Sequence, residues 1–333
     1  MKRLLWPALA LVVAAIWILR PGAATPPTWN HDDNGLWMRR RWLHEARTPD
    51  EVAALVQTLK ARGVTQLYPF LGPLGAEGRP GWRDGSTIRP YTPELASAFF
   101  AAIRAADPAL MVLPWSGGVN GRDVQLDDPA FRARFAAAMA EVVALGAHGV
   151  QINVEPMRSG SAGYLALLRE IKAAIGDKAI LSIAAYPPTT PLHPFPDVHW
   201  DLDYTAQVCA IADDLAFMAY DTAQTEIPVY TGLVRDWTLQ LAQTLPPPDQ
   251  GGCTWRIGLP AYEDDEPYHH PEVETIGAAI DGVNAALSTI PAPAGFRGVA
   301  IYASWTTDDA EWATYDQRWR GRDPVSAARI DAP

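Results

Sequence analysis

The chain has 333 residues, 48% of them hydrophobic and 20% charged, which is enough apolar material for a large core and too much for a disordered polymer. A formal net charge of -11 with no basic stripe argues against nucleic acid as a partner, because nothing is available to displace counterions from phosphates; neutral sugars remain compatible.

The first residues have the layout of an export signal: Lys2 and Arg3, an apolar run from Leu4 to Leu19, then Arg20-Pro21-Gly22-Ala23-Ala24. The run is shorter than the roughly 20 residues that span a bilayer comfortably. Gly22 and Ala24 would suit cleavage, while residues 4–19 could equally be kept as a membrane anchor. No cysteine follows the run, so lipid attachment at a new N-terminal Cys is excluded. We expect an exported protein, periplasmic or extracellular, with residues 1–24 as signal or anchor, 25–34 as a Pro-rich linker, 35–325 as one catalytic domain and 326–333 as a tail.

Eight β-rich runs then alternate with helical patterns: Gly35 to Trp42, Thr65 to Phe70, Leu110 to Trp115, Gly149 to Glu155, Ala179 to Ala185, Asp214 to Tyr220, Trp255 to Pro260 and Gly298 to Ser304. Helix starts are marked at Thr48-Pro49-Asp50-Glu51, where Thr caps, Pro opens the first turn and Glu completes a capping box. Thr92-Pro93 and Asp128-Pro129 repeat that signal, and Gly63 and Leu145-Gly146 supply the stops before the second and fourth runs. Eight such units predict an α/β fold closed as a (β/α)8 TIM barrel rather than an open doubly wound sheet. The acidic, Pro- and His-rich stretch from Tyr262 to Pro271 is expected to form a loop over the C-terminal face, with Asp264, Asp265 and Glu266 solvated and His269 and His270 at its surface. Cys209 and Cys253 are the only cysteines and precede the sixth and seventh strands, which would be neighbours; a disulfide and two separate buried thiols both fit.

Catalytic groups of such barrels sit where strands end and βα loops begin. The fourth run, Gly149-Val150-Gln151-Ile152-Asn153-Val154-Glu155, alternates strictly, with Val150, Ile152 and Val154 on one face and Gln151, Asn153 and Glu155 on the other. Since helices cover the outside of a barrel, the apolar face should pack outward and the polar row should point inward. An inward carboxyl loses hydration, and that loss raises its pKa toward the range of a general acid. Trp115 and Trp305 sit at expected strand tips, where an indole face fits a pyranose ring, while Trp37, Trp42, Trp82, Trp255, Trp312 and Trp319 are read as core or helix-packing residues. Tyr186 and Tyr262 are further candidates for sugar contact, and Asp221 is either a sugar-hydroxyl acceptor or a helix cap.

These residues resemble glycoside hydrolase family 18, the chitinase-like barrels, whose fourth strand ends in D-x-x-D-x-D-x-E. Here that spacing reads His148-x-x-Gln151-x-Asn153-x-Glu155, so the final acid is kept and the three aspartates are replaced. Ser116-Gly117-Gly118 is similar to the family's S-x-G-G turn, Met218-Ala219-Tyr220-Asp221 to its M-x-Y-D, Gly258-Leu259-Pro260-Ala261-Tyr262 to its seventh strand, and Trp305 to its tryptophan beneath the reacting sugar. The resemblance implies a retaining glycosidase of N-acetylhexosamine-containing glycans, in which the substrate's own acetamide attacks the anomeric carbon and one protein acid suffices. Glu155 would then protonate the leaving oxygen, Tyr220 hold the acetamido carbonyl, Asn153 orient the acetamide, and Gln151, Met218 and Asp221 line the sugar. A similar Asn-x-Glu pair serves the same step in endoglycosidases of family 85.

Two other readings are compatible with the sequence: a chitinase-like protein that binds sugar without turnover, and a glycosidase of another barrel family in which Asp221 or Asp264 assists Glu155. A Schiff-base aldolase is disfavoured, because Lys2, Lys60, Lys172 and Lys178 all lie away from strand ends. Neither a metal nor an organic cofactor is implied, since the strand tips lack the His and carboxylate ligands of a metal hydrolase and the glycines of a phosphate site.

Overall fold

The computed structural model describes residues 29–76, 78–325 and 330–331. The export segment, the first part of the expected linker, and tail residues 326–329 and 332–333 lie outside them. None of the described helices is long and apolar enough to cross a membrane.

The chain forms a closed barrel of eight parallel strands wrapped by helices. In chain order the strands are β1 (Asn34–Met38), β2 (Val64–Gly72), a hairpin β3 (Gly81–Asp84) and β4 (Thr87–Pro90), β5 (Met111–Val112), β6 (Trp115–Val119), β7 (Gly149–Glu155), β8 (Ile180–Ala185), β9 (Asp214–Phe217), β10 (Thr254–Pro260) and β11 (Phe296–Tyr302). Closure comes from β1, which pairs with β11 on one side and β2 on the other. The third barrel strand is split into β5 and β6, because Pro114 cannot donate to the ladder. Helix Pro49–Ala61 begins at the Thr48/Glu51 capping box read from sequence, and Asp128 and Ser161 cap the helices Pro129–Ala144 and Ala162–Ile175; Thr92 takes the cap position without a side-chain bond.

Two regions differ from expectation in ways that matter for the site, the end of the first strand and the connection after the second. The first strand stops at Met38, and Arg41–His44 make one helical turn. Trp42 therefore packs inward against Phe99, with ring centroids 5.7 Å apart, while Arg39 and Arg40 are left exposed at the strand tip. The hairpin of β3 and β4, absent from the sequence reading, rises from the connection after β2 and carries Trp82, which is half-buried at the barrel mouth rather than in the core.

Inside the barrel, Val150, Ile152 and Val154 of β7 pack outward among the helices at 3% exposure or less, which leaves the polar row facing the axis. Gln151 is fully buried there: its Oε1 accepts from Trp37 Nε1 at 2.7 Å and its Nε2 donates to Ser182 Oγ at 3.2 Å. Ser182 donates onward to Asp214 at 3.0 Å, and Asp214 pairs with Arg256, which reaches Asp33 at 2.9 Å. An uncompensated charge at that depth would cost several kcal/mol, so the layer is held by pairing. Described residues of the expected linker close the barrel floor, Asn34 Nδ2 donating to Gly63 O at 2.8 Å and Trp319 Nε1 donating to Asn34 Oδ1 at 2.9 Å. Cys209, ending helix Leu202–Cys209, is joined by a disulfide to Cys253 just before β10.

Candidate active site

Glu155 ends β7 at the C-terminal mouth, level with Val119 of β6, and Asn153 lies one step below it, level with Gly117. That approach depends on glycine: a Cβ on Gly117, whose φ is +151°, would lie 1.6 Å from Asn153 O. The Ser116-Gly117-Gly118 segment thus belongs to the third barrel strand rather than to a turn after it, and it presses β6 against the strand that carries the acid.

Burial first, and the neighbouring Asp221 second, push the Glu155 carboxyl up to about 7, while hydrogen bonding from Tyr186 and Asn153 pulls the other way. Glu155 is therefore largely a proton-bearing acid below neutrality. Asn153 Oδ1 is buried with no hydrogen-bond partner, and so is Trp115 Nε1 in the same cavity. Each such orphan costs about 1–3 kcal/mol, which a ligand offering the complementary group would recover.

The cavity that holds Asn153 and Glu155 measures about 470 Å³ and is walled by Trp115, Phe70, Trp82 and Tyr302. On the far side of Glu155 a small space of about 70 Å³ is lined by Tyr186, Met218, Tyr220 and Asp221. Glu155 thus lines both spaces, sharing the larger with Asn153 and the smaller with Tyr220. Tyr220 is held rigidly, stacked on Tyr302 at 5.4 Å and edge-on to Tyr262 at 6.1 Å.

Asp221 has a positive φ of 58° and accepts from the Tyr262 hydroxyl at 2.6 Å and from His269 Nδ1 at 3.0 Å. Desolvation, with the neighbouring Asp264 adding to it, raises its carboxyl despite these two hydrogen bonds. Behind it, Glu274 accepts from Thr222 N and Oγ1, both at 2.9 Å, and its own burial raises it to about 7.

Several sequence assignments change at this level of detail. Gln151 does not reach the groove, because both ends of its amide are spent on Trp37 and Ser182. Tyr262 turns its hydroxyl to Asp221 and its ring face to His269, 3.7 Å away, so it supports the acid rather than lining the cavity around Glu155. Trp305 lies farther out than its motif position implies, and the aromatic ring that faces Glu155 from the eighth strand is Tyr302. His269, expected at the surface, is 4% exposed, whereas Asp264 and Asp265 are solvated as expected. The sequence reading also missed a buried pair beside Glu155, His193 bonded to His199, which in turn faces Pro187 O at 2.8 Å. Two histidines six residues apart in a Pro-rich stretch after the fifth strand were its only signal.

The chain is thus a (β/α)8 barrel with a carboxyl at the tip of its fourth strand, where such barrels carry their active sites. Among solved structures, the spore cortex-lytic enzyme SleL of Bacillus cereus matches over 86% of this chain and 74% of its own, with a TM-score of 0.56 and 11% identity. SleL of Bacillus megaterium QM B1551 matches over 81% and 71%, at 0.53 and 13%. A class V chitininase from Pseudomonas fluorescens Pf-5 matches over 86% and 99%, at 0.55 and 14%. These likenesses show a shared fold. No family model matches the sequence, and a search of curated proteins finds no match either.

Proposed function

We propose that the chain is an exported retaining glycoside hydrolase that cleaves N-acetylhexosamine-containing glycans with the help of the substrate's own acetamide. One observation carries the proposal: on a single strand, an acid raised to about 7 stands two residues from a buried amide oxygen with no partner, and both open into an aromatic-walled groove. Glu155 gives its proton to the glycosidic oxygen as that bond breaks, and the acetamido oxygen closes on the anomeric carbon. Asn153 Oδ1 accepts the acetamide N–H and orients it, while Tyr220, which borders Glu155 in the smaller space, holds the acetamido oxygen. Water then opens the cyclic intermediate and returns a proton to Glu155. Kinship in fold with a cortex-lytic enzyme and a chitininase supports a glycan substrate. The disulfide supports an oxidising compartment, and with it the export read from the N-terminus.

Product analysis of the full chain on chito-oligosaccharide, peptidoglycan strands and N-glycan tests this directly. Cleavage of at least one, lost in Glu155→Gln, is the expected result; binding without products would leave a sugar-binding protein instead. A second reading is favoured by Asp221, whose charge bears on Glu155: a two-carboxylate glycosidase that needs no acetamide.

A further inference from the structure

Outside the cavity of Glu155, the groove continues into a second space of about 680 Å³ that shares Arg40, Phe70, Trp115 and Tyr302 with it. Its character is different. Arg39, Arg40 and Arg41 follow one another at the tip of the first strand and line it together with Trp305. The Arg39 guanidinium lies 6.0 Å from the Trp305 ring centre, and that of Arg40 lies 4.1 Å from the ring centre of Trp82. Such stacking orients a guanidinium while leaving its N–H edge available to a ligand.

The carboxylates nearby are already engaged by other arginines. Glu45, which itself lines this space, pairs with Arg47, and Asp123 pairs with Arg83 and Arg122. Arg39 and Arg40 have no carboxylate partner among the described residues. The turn that displays them is pinned: buried Asp331 accepts from Trp42 Nε1 at 2.8 Å, from the backbone N of Arg39 at 3.4 Å and from Ser304 Oγ. In a chain of net charge -11, a fixed, exposed, unpaired arginine pair at one end of a sugar-sized groove calls for an anionic ligand there.

Resting on the glycosidase reading, we propose that the outer groove is a subsite for a carboxylate-bearing sugar, the carboxylate meeting Arg39 and Arg40 while the ring lies against Trp305 and Trp115. The substrate is then an acidic glycan rather than a neutral one. Arginine and carboxylate form two parallel hydrogen bonds, which distinguishes a carboxylate from a hydroxyl at the same position. The carboxylate can be a lactyl ether on an amino sugar or the C6 acid of a uronic residue. Both present the same group to the arginines.

Calorimetry on the Glu155→Gln chain, which spares the ligand, tests the assignment with N-acetylhexosamine oligosaccharides of one length in two series. One carries lactyl carboxylates on alternate sugars and the other carries uronic acids; each is compared with its carboxyl-reduced counterpart. In at least one series the acidic form should bind about tenfold tighter at low salt, an advantage that shrinks as salt is added. The series that shows the preference identifies the source of the carboxylate. In the Arg39→Gln/Arg40→Gln double variant the acidic and reduced forms should bind alike. Equal binding of acidic and reduced ligands in both series, or a preference that survives the double substitution, overturns the proposal. An arginine-dependent preference for an oligosaccharide that the parent chain never cleaves would keep this subsite and refute the hydrolase, whereas cleavage of neutral oligomers without such a preference would do the reverse.

Discussion

Gln151 and Asn153 are two residues apart on one strand, face the same way, and have opposite fates. Gln151 lies in the closed interior with both ends of its amide bonded to the protein, part of a chain of contacts that runs through Ser182 and Asp214 to Arg256. Asn153 lies one step higher, level with Gly117, and its oxygen is buried without a partner. The polar row of the strand therefore does two jobs: below, it satisfies itself and holds the barrel; above, it is left unsatisfied where a ligand can complete it. The difference teaches that facing the axis is insufficient to make a site; depth decides.

The largest effect expected from this contrast is at the mouth. Glu155→Gln should lower turnover of an N-acetylated oligosaccharide by about 10²- to 10⁴-fold in steady-state assays while leaving the fold intact. At the floor, Asp214→Ala should destabilise by about 3 kcal/mol in denaturant unfolding, because it leaves the buried Arg256 guanidinium with Asp33 alone and takes the acceptor from Ser182. Between the two, Gln151→Leu should cost about 1–3 kcal/mol by leaving Trp37 Nε1 without an acceptor. Asn153→Leu is the matching change above: it removes an orphaned oxygen and should alter unfolding free energy little, yet cut turnover. If Asn153→Leu were the more destabilising of the pair, the division of the strand into two layers would be wrong.

The smallest effect concerns pH. Glu155 is raised from an ordinary 4.5 to about 7 in the folded chain, so its contribution favours folding most below 4.5 and is lost as pH rises through 7. Glu155→Gln, which cannot ionise, should accordingly melt higher than the parent above pH 7 and lose that advantage toward pH 4. Thermal melts at both pH values check it, and a Tm difference independent of pH would place the carboxyl in ordinary solvent. The same titration should make the parent's turnover fall as pH rises past about 7.

Much of this was legible in the sequence. Eight alternating units, the Thr48/Glu51 capping box and the strict period-2 pattern of Gly149 to Glu155 are local signals, and each corresponds to a formed element. What the pattern could not convey was depth along the barrel axis, which is why Gln151 was read as a sugar contact. Nor could it convey how loops settle. Three aromatic residues show this: Trp305 lies outside the cavity its motif suggested, Tyr302 takes the place beside Glu155, and Trp82 reaches the groove on a hairpin that no apolar periodicity announces. His269 was read as a surface residue because its neighbours are acidic, yet its ring is buried against Tyr262. Contacts of this kind are made between distant connections, and composition within a connection carries no record of them.

The central claim is that the substrate supplies the second catalytic group. Hydrolysis of an N-acetylated oligosaccharide, followed by NMR of the first-formed anomer beside its de-N-acetylated counterpart, tests it most directly. The account predicts cleavage of the acetylated chain alone, with the anomeric configuration retained. Comparable cleavage of the chain without acetamides, or an inverted product, would contradict it and assign the second role to Asp221.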